Sequence, residues 1–215
     1  MDVNRMKPAL PELLRPADLA EAAARAAAEG EEAEGLAFEG VALSGFQARR
    51  LEFSGCTFVR CRFEEISVRW LSFSDCLFTG CDFSNAALKG AAFRRVEMRD
   101  CRAVGSEMAD AWIAHALISF CRMDYAGFGK GKLESVRFED CDLKEASFSG
   151  CQFKTVEFER CVLTAAEFQN APLKGVDFRT SRIDGIKLSG GELRGAIVSP
   201  EQAVELSKLM GLVVR

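Results

Sequence analysis

Every cysteine of this 215-residue chain falls in one phase of a five-residue period. Cys56, Cys61, Cys76, Cys81, Cys101, Cys121, Cys141, Cys151 and Cys161 all leave remainder one on division by five, and two residues after each stands Phe, Leu, Met or Ala. The phase belongs to a longer register. From Phe38 to Val198, every fifth residue is Phe, Leu, Met, Ile, Val or Ala: 33 positions, fifteen of them Phe. The residue two places before each is small or apolar, and the other three of each five are largely charged, Ser, Thr or Gly. A period of five matches neither a helix face nor a strand face. It matches a coiled backbone that turns one corner per repeat, with one large and one small apolar side chain inside and three residues facing water. One repeat cannot bury its own apolar pair, so the coils must stack.

The register decides how the cysteines are read. Cys61, Cys81, Cys101, Cys121, Cys141 and Cys161 are spaced twenty apart, which places them in one column of a four-sided coil. A buried free cysteine behaves as a small hydrophobe. Stacked neighbours sit about one strand spacing apart (~4.8 Å), wider than the ~3.8 Å between Cβ atoms that a disulfide prefers. Cys-x2-Cys pairing is missing and the chain has a single histidine, so zinc chemistry is not indicated. All nine are expected to be buried, reduced and silent. Eleven of the eighteen glycines fall two residues after the large apolar position, where a corner calls for positive φ.

Three segments follow: an extension and capping helix over 1–35, the repeat solenoid over 36–198, and a capping helix with its tail over 199–215. A sheet-like solenoid exposes a backbone edge at each end, and both need cover. Asp18 and Glu21 form a capping pair for a helix near 19–29, stopped by Gly30; its alanines promise helicity but little core. Residues 1 to about 15, with Pro8 and Pro11, are expected to be extended or mobile. Ser199, Pro200 and Gln202 start a second helix running to Met210, with Gly211 as its stop. Leu212-Val213-Val214 suggests a short final strand. The apolar residues Val204, Leu206, Leu209, Met210, Leu212, Val213 and Val214 exceed what one coil end needs. They are candidates for a homodimer contact through the C-terminal cap.

Composition indicates a non-membrane, cytoplasmic protein: the formal charge is −4, apolar runs are too short to span a bilayer, and nine unpaired thiols suit a reducing compartment. Residues 1–35 carry four basic and eight acidic side chains, which leaves the remainder balanced at 24 against 24. Catalysis is not indicated. His115 occupies a corner without triad partners. Gly127, Gly129 and Gly131 lie inside the repeat and mark a tight coil, not a phosphate loop. No catalytic, cofactor or metal residue is assigned, and no direct nucleic-acid binding is expected. One departure stands out. Trp112, His115, Leu117, Phe120 and Tyr125 take outward positions within fourteen residues, and Trp70 is a further outward aromatic. They form a candidate partner surface; the competing reading is that they cover the wall locally or meet the folded-back N-terminal segment.

Stretches such as Cys81-Asp82-Phe83-Ser84-Asn85 and Cys141-Asp142-Leu143-Lys144-Glu145 resemble the Ala-(Asp/Asn)-Leu-X-X motif of the pentapeptide-repeat family. The resemblance covers about three quarters of the chain. It implies an all-β solenoid, a right-handed quadrilateral β-helix with four repeats per coil and about eight coils, with short helical caps at both ends. The standalone quinolone-resistance members of that family bind type II topoisomerases as mimics of duplex DNA and dimerise through their C-terminal caps. By resemblance, then, the chain is a non-enzymatic interaction scaffold with DNA gyrase or topoisomerase IV as a candidate partner. The alternative is a structural adaptor with another protein partner. The charge-balanced solenoid and the register free of inserted loops depart from the quinolone-resistance pattern.

Overall fold

The structure, a computed structural model, describes residues 4–209 and 211–214. It is a four-sided β-solenoid. Strands pair in parallel at an offset of twenty residues: Phe38 beside Phe58, Phe58 beside Phe78, Phe53 beside Phe73, Ile113 beside Leu133, Phe138 beside Phe158. Isolated bridges such as Arg62 with Asp82 and Ser67 with Ala87 keep the same offset where strands are too short to be named. Taking the first coil as reference, face 1 spans residues 36–40, face 2 spans 41–45, face 3 spans 46–50 and face 4 spans 51–55; each recurs every twenty residues.

Large apolar side chains fill the interior as the register requires. Of the 33, 28 are buried and five (Ala48, Phe153, Leu188, Leu193 and Val198) are half-buried. Rings stack on rings one coil away, as in Phe58–Phe78 (centroids 4.7 Å apart), Phe63–Phe83 (4.5 Å) and Phe128–Phe148 (4.8 Å). Between Phe93 and Phe128 the same positions hold Met98, Ala103, Met108, Ile113, Ile118 and Met123, so the waist of the rod has an aliphatic core.

Corners take left-handed backbone. Glycine supplies it at eleven corners of the repeat, but eighteen non-glycine corner residues, from Arg60 to Asn170, also adopt φ of 50–60°. Such a residue stores on the order of 1 kcal/mol. The ladder offsets this, because each corner N–H bonds the next coil: Arg60 to Thr79 O (2.8 Å), Asp75 to Arg94 O (2.9 Å), Tyr125 to Lys144 O (2.9 Å). Glycine is required for a different reason at Gly131, where a Cβ would meet Phe128 O at 2.8 Å and Ala111 O at 3.2 Å. The tight coil expected there is what forms. Between faces 3 and 4, strands Gln47–Ser54 and Ser67–Ser74 run straight through the corners at Arg50 and Trp70.

There are about seven regular turns, one fewer than the sequence suggests. The last coil loses its wall. Gly191–Leu193 forms a 3-10 turn, and Leu188, Leu193 and Val198 are only half covered. Helix α1 (Leu19–Glu29) closes the N-terminal end. Asp18 Oδ1 accepts the Glu21 N–H (2.8 Å), and Gly30 ends the helix at φ 72°. Its alanines contribute more than helicity, for Leu19, Ala22, Ala23 and Ala26 are buried against the first coil. Helix α2 (Pro200–Leu209) opens with a reciprocal box: Ser199 N–H to Gln202 Oε1 (2.9 Å) and Gln202 N–H to Ser199 Oγ (3.3 Å). Met210 lies outside the described residues. Gly211 has φ 79°, as its role as a stop requires. Leu212–Val214 does not form the expected strand; α2 has carried the chain off the ladder, so no edge in register is within reach.

Residues 4–14 are extended and pinned, not loose. They lie along the corner column between faces 4 and 1. Pro11 packs over Gly55 and Gly35, the Ala9 N–H donates to Asp75 Oδ1 (2.9 Å), and Arg5 pairs with Glu97 (2.9 Å). At its far end the Met6 N–H donates to His115 Nδ1 (3.3 Å). Arg15–Pro16 then pairs in parallel with Leu36–Ala37. No helix among the described residues is long and apolar enough to cross a membrane.

Candidate functional site: a groove between two tryptophans

The twenty-residue geometry separates the outward aromatics. Phe120 is alone on the corner between faces 1 and 2, with the Arg99 guanidinium 5.7 Å from its ring. Tyr125 is on the corner between faces 2 and 3, where a hydrogen bond to Glu145 raises its pKa. His115 is half-buried beneath the N-terminal strap, its Nδ1 taken by Met6. Leu117 is half-buried beside Glu97, the residue that holds Arg5. Four of the expected patch residues therefore do not form one surface. The strap meets His115 directly, through the Met6 N–H, and reaches the neighbour of Leu117 through Arg5.

Trp70 and Trp112 are brought together. Trp112 lies on face 4, next in register to Ala92, which is next to Ser72. Trp70 stands at the corner beside that column. Outward side chains on face 4 are small here (Ser72, Ser74, Ala92) while those around them are long, so the wall is dented. Two depressions of about 210 and 580 Å³ share Glu52, Ser72 and Ala92; the first reaches Trp112 and the second reaches Trp70. The indoles are 46 % and 42 % exposed, so each presents an edge to solvent with its body on the wall.

The groove is positively charged in a chain of net charge −4. Arg49, Arg50 and Arg94 line it against Glu32 and Glu52, and Arg69 adjoins it at Trp70. Arg49 and Arg69 come from successive coils, with guanidiniums 5.0 and 4.7 Å from the Trp70 ring. Arg50 is paired with Glu52 (2.6 Å). Among the described residues no carboxylate pairs with Arg49, Arg69 or Arg94. The column reading could have located this dent: Ser72 and Ala92 are the small members of the series Glu52, Ser72, Ala92, Trp112.

Among the described residues no group of three or more His, Cys, Asp or Glu is placed to hold a metal ion. The nine cysteines are buried and unpaired. Seven of the thiols point at carbonyls of the coil below, as in Cys81 to Phe58 O (3.3 Å) and Cys151 to Phe128 O (3.1 Å). Burial pushes the Cys151 thiol up to about 12 and the Cys76 thiol well above its ordinary value, which disfavours a reactive thiolate at either.

A trypsin-treated variant of QnrB1, a plasmid-mediated fluoroquinolone resistance protein, is similar in structure: 16 % identity over 84 % of this chain and 99 % of that one, TM-score 0.42. Full-length QnrB1 shares 22 % identity over 82 % of this chain and 100 % of its own, TM-score 0.29. HetL, a pentapeptide-repeat protein involved in heterocyst differentiation regulation from the cyanobacterium Nostoc sp., shares 12 % identity over 84 % and 94 %, TM-score 0.32. A comparison with curated protein sequences found no match. The family model described as "Pentapeptide repeat region" matches residues 71–148 and 131–197. Together these spans cover more than half of the sequence, and the chain belongs to the pentapeptide-repeat family.

Proposed function

We propose that the chain is a non-enzymatic scaffold that holds a protein partner in the groove between Trp70 and Trp112. The observation that carries this reading is the placement of both tryptophans of the chain beside one dent in an otherwise polar wall. Exposed aromatics around a small-residue floor supply the anchors a protein interface uses. The rigid ladder fixes their spacing, so a partner meets a preorganised surface and loses little affinity to ordering.

The partner that family resemblance suggests is a type II topoisomerase, DNA gyrase or topoisomerase IV, with quinolone protection as the outcome. A DNA mimic needs a column of uncompensated negative charge. Several exposed carboxylates of this rod are paired instead: Glu39 with Arg60, Asp140 with Arg160, Asp177 with Arg179. The groove is basic. These features weaken the DNA-mimic mode of binding without naming another partner. A homodimer through the C-terminal cap is supported by the exposure of Val204, Leu209, Leu212, Val213 and Val214, while Leu206 is buried against the solenoid and is not part of such a contact.

The test is capture from a bacterial lysate with the native chain, Trp112→Ala and Phe120→Ala. A partner kept by Phe120→Ala and lost by Trp112→Ala is expected. Retention by Trp112→Ala refutes the groove. Recovery of topoisomerase subunits, with protection of supercoiling against a quinolone, establishes the topoisomerase reading.

A further inference from the structure

Resting on the scaffold reading, we propose that the groove takes an acidic, extended segment of its partner. A carboxylate of that segment is clamped by the guanidiniums held over Trp70, and an apolar side chain sits on the Ser72–Ala92 floor. Several arginines elsewhere on the rod are engaged with carboxylates: Arg60 with Glu39, Arg95 with Asp75, Arg160 with Asp140, Arg179 with Asp177. Arg49 and Arg69 instead rest on an indole, which holds each guanidinium plane while leaving N–H edges free for a carboxylate. They come from adjacent coils, so their backbones stand about one strand spacing apart (~4.8 Å) and both side chains reach the same indole. Arg94 adds a third cation on the far side of the floor.

A nucleic acid fits less well. Base stacking needs a free aromatic face, and two guanidiniums already lie over Trp70. Glu32 and Glu52 line the same groove and would meet the phosphates of a continuous backbone. A short peptide can place its carboxylates at Arg49 and Arg69 and its apolar side chain between the indoles, while Glu52 stays paired with Arg50.

The probe is a short blocked peptide of glutamates around one leucine, titrated into the full chain. Both tryptophans line the groove, so their emission reports occupancy there without a label. A saturable emission change is expected, weakened at least about tenfold by Arg49→Ser combined with Arg69→Ser, as loss of charge-assisted bonds predicts. The same loss of charge on face 2, Arg102→Ser with Arg122→Ser, leaves binding unchanged. Arg49 and Arg69 are exposed, so the double variant folds; Arg94→Ser gives an independent reading, with a smaller loss. The proposal is overturned if a lysine version of the peptide binds as well, if oligothymidylate binds more tightly, or if emission is unchanged at about 1 mM peptide, the edge of specific affinity. Silence toward the glutamate peptide, with a lysate partner still lost in Trp112→Ala, removes the acidic-segment inference and keeps the scaffold. Failure of both removes the groove.

Discussion

The two ends of the solenoid are closed by helices of similar length, eleven and ten residues, and only one end is sealed. Helix α1 buries Leu19, Ala22, Ala23 and Ala26 against the first coil. Its small residues let the helix axis come down close to the ladder. Helix α2 buries only Leu206, leaves Val204 and Leu209 in solvent, and stands over a cleft of about 580 Å³ lined by Ile183, Ile186 and Gln202. It is held by polar contacts. The Gln202 amide donates to Phe178 O and Ser181 O (2.8 Å each), covering two carbonyls of the last coil. A lid of small apolar residues closes an edge by contact; a lid of larger ones, tethered by a single amide, leaves surface over.

Substitutions can break this contrast. The largest effect is expected at the sealed end. Leu19→Ala should lower unfolding free energy by about 2–5 kcal/mol, whereas Leu206→Ala over the open cleft should cost less, compared by urea midpoint. Next comes Gln202→Leu, which keeps the helix but leaves Ser181 O unanswered and Phe178 O with the Ser181 N–H alone. A loss of roughly 1–3 kcal/mol is expected, with hydrogen exchange rising at residues 178–182 and not near α1. A cost as large as that of Leu19→Ala would mean that one amide closes the C-terminal end as firmly as packing closes the other.

A third prediction concerns the strap. Burial acts to raise the Asp75 pKa, but the Arg95 guanidinium and the Ala9 N–H outweigh it, and the net shift is downward. A carboxyl with a lowered folded-state pKa adds stability above its unfolded value, and that contribution is lost as pH falls through the folded value. The strap should stay docked at neutral pH and become protease-sensitive near Arg5 and Lys7 only on acidification below the ordinary carboxylate range. Asp75→Ala, which removes the acceptor of the Ala9 N–H, should loosen it at all pH values, with little change at α2. The smallest effect on stability is expected from Leu209→Glu, since Leu209 is exposed. Its readout is mass. If two C-terminal lids meet, light scattering gives twice 23.6 kDa for the native chain and one chain for the variant; a single-chain mass for both shows that the lid is left uncovered.

Much of this was legible in the sequence because one constraint repeats. Phe138 and Phe158 occupy the same face by arithmetic alone, and the helix caps at Asp18 and Ser199 are local patterns. Ala22, Ala23 and Ala26 concealed a packing role, since alanine signals helix more strongly than it signals contact. The strap was legible only as one possible cover for the outward aromatics, because two of its anchors are the backbone N–H groups of Met6 and Ala9, meeting side chains 109 and 66 residues away. No side-chain pattern encodes such contacts. Proximity in sequence suggested one patch from Trp112 to Tyr125, but each corner of the coil turns the surface away. The partner of Trp112 is Trp70, two coils below.

The constant offset of twenty residues makes the molecule a ruler with fixed graduations. Loss of one residue from the middle would shift every later side chain from one wall to the next, whereas loss or gain of twenty leaves every face intact and changes the length by about 4.8 Å. Sites on such a rod can therefore be moved apart only in whole turns. A binding surface that spans several coils, as the groove from Glu52 to Trp112 does, is kept or destroyed as a unit, and any partner reading it measures distance in steps.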